Sequence, residues 1–134
     1  KTVFNSQNTA FIRELAPCFL MVPQFRRCDD IWASLLAQRV MVEHGFHTHF
    51  GRPYVWQQRN AHDLVADLKA EMLGYARTRD FAAWLDSIEL EGSSVSSRLA
   101  GFYALYAQST KPAWLPSGIA ELGAAWLRDL ETVL

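Results

Sequence analysis

Arg26-Arg27-Cys28-Asp29-Asp30 sets two cations directly ahead of two carboxylates. A carboxylate beside a guanidinium can act as a general base or orient an acceptor hydroxyl while the cation holds a phosphate. The string also has a plain reading, in which aspartates at a helix start hold exposed amides and the arginines form surface ion pairs. His47 and His49 lie two apart on a presumed strand, so their side chains share a face. Imidazoles ligate Zn or Mn, yet a His-x-His pair without a third ligand reads equally as partly exposed structural histidines. Tyr54-Val55-Trp56-Gln57-Gln58-Arg59-Asn60-Ala61-His62-Asp63 gathers aromatics, amides, an arginine and a histidine in one loop before a helix. Loops on rigid scaffolds carry binding groups and helix N-termini favour anions. The competing reading is a buried aromatic pair followed by a cap.

The elements that must position these groups are mostly helical. Asn8 to Leu15 starts a short helix that Pro17 limits, and Phe19 to Val22 is an apolar run of either type. Asp29 and Asp30 open the clearest helix, whose stripe is Ile31, Trp32, Leu35, Leu36 and Val40 and whose stop is Gly45. Thr2 to Phe4, Phe46 to Phe50 and Tyr54 to Trp56 read as short strands. From Asn60, a capping residue, Leu64, Leu68 and Met72 line one helical face, widened by Val65, Leu73 and Tyr75. Phe81 to Ile88 reads as a separate shorter helix, and Val95 to Gln108 carries Leu99, Phe102 and Tyr106 at helical spacing. Ser117 caps a last helix with Ile119, Leu122, Trp126, Leu130 and Val133 on its apolar face. Trp84, Trp114 and Trp126 read as core. So few strands do not make a self-sufficient sheet and need a partner sheet.

Composition narrows the function classes. Thirteen Lys and Arg against fourteen Asp and Glu give a net charge of -1 over 134 residues, which argues against nucleic acid or an anionic membrane as partner. Two cysteines, Cys18 and Cys28, are too few for a secreted disulfide framework, so a reducing, cytoplasmic setting is expected. No apolar run approaches a membrane span. The chain opens at Lys1 rather than Met, which hints at a fragment.

Three strings carry a family resemblance. Asn8-Thr9-Ala10-Phe11-Ile12-Arg13-Glu14-Leu15, Arg27-Cys28-Asp29-Asp30-Ile31-Trp32-Ala33 and Gly51-Arg52-Pro53-Tyr54-Val55-Trp56 follow in the order and approximate spacing of the reversibly glycosylated polypeptides, also known as UDP-arabinopyranose mutases. Glu43-His44-Gly45-Phe46 and Asp67-Leu68-Lys69-Ala70-Glu71 fit the same pattern. The resemblance implies the carboxy-terminal part of a glycosyltransferase-A-type, Rossmann-like α/β domain, helix-rich, with short strands near its start and a helical bundle at its end. It implies transferase-core residues over 1–60 and a helical region over 61–134. It further implies a UDP-sugar, an acceptor and a divalent cation (Mn or Mg), with the upstream half of the protein or a partner subunit needed for activity. Asp29 and Asp30 would then be catalytic, with Arg27, Trp32, Tyr54, Trp56, Gln57 and Arg59 on the substrate. Where the family commonly carries His after the Pro-Tyr-x-Trp run this chain has Gln57, a poor metal ligand, for which His62 could substitute only if the loop folds back; with the His47 and His49 pair it completes the candidate metal ligands. The rival expectation is a self-contained helical binding module or a non-catalytic partner subunit.

Overall fold

A computed structural model describes residues 2–108 and 111–133. Two 3₁₀ segments, Arg13–Phe19 and Pro23–Cys28, lead into helices α1 (Asp29–Glu43), α2 (Leu64–Ser87), α3 (Val95–Ala107) and α4 (Ile119–Glu131). Among the described residues there is no strand, which corrects the expectation of an α/β, Rossmann-like domain. The physical reason is visible at each expected strand. Residues 47–62 make no backbone–backbone hydrogen bond among the described residues, so the alternating pattern of Phe46 to Phe50 has no ladder to join. Thr2 to Phe4 is tied to α1 by side chains instead. Gln38 accepts from the Thr2 amide and donates to its carbonyl, and the Ser34 hydroxyl accepts from the Phe4 amide.

Pro17 sits inside the first 3₁₀ segment, where no helix of α type forms. α1 begins and ends where its sequence says, with Gly45 in the left-handed region at φ 72° just beyond it. α2 differs in two ways from the sequence reading. Its N-cap is Asp63, which accepts from the Val65 and Ala66 amides, rather than Asn60. It also runs unbroken to Ser87, absorbing the shorter helix expected over Phe81 to Ile88. Ser94 and Ser97 form a reciprocal capping box at the start of α3. α4 starts from Gly118 at φ 81°, with no side-chain cap, so Ser117 does not serve there.

One apolar cluster joins α1, the second half of α2, α3, the start of α4 and both 3₁₀ segments. Its centre is aromatic: Trp32 is fully buried, stacks on Phe81 at 4.6 Å and meets Phe25 and Trp114 edge-on. The Trp32 indole N–H donates to Thr78 Oγ1 at 2.9 Å, so the polar atom carried inside is satisfied. Trp84 packs on Phe102 and Tyr106, and the Trp126 indole donates to the Pro17 carbonyl. Two glycines permit close approaches. A Cβ on Gly123 would overlap the Tyr103 ring, and one on Gly74 would meet Cys28 Sγ. Cys18 and Cys28 are buried free thiols, and burial pushes Cys18 up to about 12, so it stays protonated at neutral pH.

Candidate functional site

The turn before α1 is strained. Arg26 has φ 54° and ψ -130°, and no other non-glycine among the described residues has positive φ. Arg27 follows that turn, and its partners are on α2 rather than the two aspartates. Arg27 pairs with Asp67 and Glu71, each at 3.1 Å, and His62 Nδ1 lies 3.2 Å from the second Asp67 oxygen. Arg27 and His62 are thus brought together through Asp67 in a cluster that ties the second 3₁₀ segment to the start of α2.

Asp29 and Asp30 sit half-buried at the first turn of α1. Asp29 Oδ1 accepts from the Asp30 amide and Asp30 Oδ1 from the Ile31 amide, each at 2.8 Å, so one oxygen of each carboxylate is engaged by the helix start. Asp30 Oδ2 accepts a long bond, 3.4 Å, from the Ser6 amide. Burial holds the Asp29 carboxyl above the usual carboxylate range, partly offset by the Asp30 amide. Because the folded value is raised, the stabilising form is the protonated one, and the contribution is lost as pH rises through the folded pKa.

The amino-terminal segment and residues 46–54 face each other across an open groove of about 920 Å³. Phe11 stacks on Phe19 at 4.1 Å in its floor, and Asn5, His47, His49, Arg52 and Tyr54 stand along it. No Asp or Glu lines it, and Asp30 touches its edge through Ser6, next to Asn5, and through its neighbour Ile31. An aromatic groove with cationic and amide groups and no carboxylate suits an anion carrying a flat apolar part.

The remaining predicted residues fall elsewhere. Trp32 has no exposed surface and belongs to the core. Trp56 is 82% exposed, and Gln57 and Arg59 are exposed beside it on the same extended segment. Among the described residues no three of His, Cys, Asp and Glu come together as a metal-binding group. His47 and His49 therefore lack the third ligand, His62 is committed to Asp67, and no chemical step is assigned to a metal in this chain. Asn8 and Phe11, expected at a helix start, and Asn5, to which the sequence assigned no role, are groove residues on extended chain. The available signal was the poor helix propensity of Asn5-Ser6-Gln7-Asn8-Thr9.

Comparison with known families matches residues 6–110 to the model of the reversibly glycosylated polypeptides. The chain belongs to that family. No curated protein and no solved structure matches it. The matched span contains both aspartates, the Arg27 cluster and the groove apart from Val3, Phe4 and Asn5.

Proposed function

We propose that this chain supplies the acceptor side of a UDP-sugar-dependent glycosyltransferase or mutase-like enzyme, and that the groove between the amino-terminal segment and residues 46–54 receives the nucleotide sugar. The family context supports a glycosyl-transferring role. The single observation that carries the finer reading is the carboxylate-free lining of the groove, with Arg52, His47 and His49 beside aromatic rings. A diphosphate would gain charge-assisted hydrogen bonds from Arg52, and the base would lie against Phe11 or Tyr54. Asp30, whose Oδ2 has only the long bond from Ser6, is the better placed of the two carboxylates to take a proton from an acceptor hydroxyl or to orient it. Asp29 borders a small apolar cavity with Phe25 and Trp32, and its role is to hold the helix start. A divalent cation, which the family resemblance implies, finds no ligand set in these residues. The two free thiols fit a reducing compartment such as the cytoplasm.

The test is Asp30→Asn in the full protein, assayed for sugar transfer and UDP-sugar hydrolysis, with UDP binding measured by calorimetry. A lost proton acceptor lowers turnover by roughly 10²–10⁴-fold while leaving UDP affinity near that of the wild type. Unchanged transfer and hydrolysis would remove Asp30 from the mechanism. UDP affinity that Arg52→Ala leaves intact would remove the groove.

A further inference from the structure

Every second backbone amide near the start of the chain turns toward α1. The Thr2 amide donates to Gln38 Oε1 at 3.2 Å, the Phe4 amide to Ser34 Oγ at 3.3 Å and the Ser6 amide to Asp30 Oδ2 at 3.4 Å. Gln38 Nε2 also donates to the Thr2 carbonyl at 2.9 Å, so one side chain holds both polar groups of that residue. Asp30, Ser34 and Gln38 follow one another at every fourth position of α1. Four helical residues rise about 6 Å and two extended residues span about 6.6 Å, so the two repeats match. The three side chains form a ladder that seats residues 2–6 as a strap running opposite to the helix.

Side chains alone hold this strap. Among the described residues, no backbone–backbone hydrogen bond involves residues 2–11. Ser34 and Gln38 are the two buried polar side chains among the described residues, and the strap amides satisfy their acceptor oxygens. The grip weakens along the strap, from two partly buried bonds at Thr2 to one long, exposed bond at Ser6. Val3, Phe4 and Asn5 line the groove together with Met41, which is only 5% exposed. The Ser6 end also occupies Asp30 Oδ2. A strap that lifts there widens the groove and frees that oxygen in one movement.

We propose that residues 2–6 are a gate to the groove. The strap peels from the Ser6 end of the Asp30–Ser34–Gln38 ladder, which admits a ligand and uncovers Asp30, and it reseats to close the wall. The consequence for Asp30 rests on its reading as the acceptor-side carboxylate, whereas the opening of the groove does not.

Two measurements on the full protein test the gate without any ligand. In native-state hydrogen exchange the Phe4 amide should exchange through a local opening whose rate barely changes in low urea, with Ser6 faster still. The amides of Leu99 and Phe102 in the core should instead follow global unfolding. The second measurement is oxidation by dilute hydrogen peroxide, followed by mass spectrometry. Gln38→Leu removes both Thr2 bonds and should quicken sulfoxide formation at Met41 about tenfold. Exposed Met21 and Met72 in the same sample should keep their wild-type rates. Ser34→Ala removes only the middle rung and should quicken Met41 roughly threefold, which carries the test if Gln38→Leu fails to fold. Phe4 exchange that follows global unfolding overturns the gate and makes residues 2–6 a fixed wall. So does a Met41 rate that neither variant raises. Absent UDP binding together with a quickened Met41 would sink the nucleotide reading and support the gate, so the two proposals fail separately.

Discussion

Phe81 and Leu85 near the end of α2 are almost wholly buried, whereas Leu64, Leu68, Met72 and Tyr75 nearer its start stand in solvent. Both sets are apolar, both recur at helical spacing and both lie on one continuous helix. The later set is clamped because Trp32 from α1, Phe25 from the second 3₁₀ segment and Phe102 from α3 converge on it. None of those elements covers the earlier set. Apolar patterning thus marks residues that gain from burial, while burial itself requires a second surface in reach. Aromatics behave the same way, with Trp32 at the centre of the core and Trp56 in solvent.

The widest test of this contrast is the tryptophan pair. Trp32→Ala removes a fully buried ring and leaves the Thr78 hydroxyl without its donor, and should cost about 3–5 kcal/mol in urea unfolding. Trp56→Ala, at an exposed position, should change stability by no more than about 0.5 kcal/mol. Comparable losses for the two would mean that residues 47–62 pack far better than their exposure indicates.

A smaller effect sharpens the packed side. Gly123→Ala drives a methyl into the Tyr103 ring between α3 and α4, and should cost about 1–3 kcal/mol in thermal or denaturant unfolding. A neutral result would show that this contact between the helices can give way.

The smallest expected effect falls on the exposed side. Asp63→Ala deletes the acceptor for the Val65 and Ala66 amides and should cost about 1 kcal/mol. Its signature is local, since amide exchange should quicken over the first turns of α2 while the second half, held by the core, keeps its protection. Uniform loss of protection along α2 would mean that the two halves open as one unit, and the contrast between them would fail.

Much of this protein is written locally. Asp29 and Asp30 at a helix start and Gly45 at its stop fix helix ends through single-residue chemistry, and each stands where the sequence places it. Leu99, Phe102 and Tyr106 share a buried face as their spacing requires. Family membership is legible too, because it rests on ordered strings within residues 6–110. Other features needed the tertiary structure. A strand is defined by its neighbour, so the alternation of Phe46 to Phe50 could not say that no partner strand would be present. Cap choice between Asn60 and Asp63 turned on which side chain reaches the free amides. Periodicity grouped Leu64, Leu68 and Met72 on one face but was silent on whether that face met the core or the solvent. Arg27 reads in the sequence as a companion of Asp29 and Asp30, and the fold pairs it with Asp67 and Glu71 instead. Local chemistry set where helices begin and end, and three-dimensional proximity alone decided which charges and which apolar faces found partners, because such partners are brought together by the fold rather than by sequence spacing.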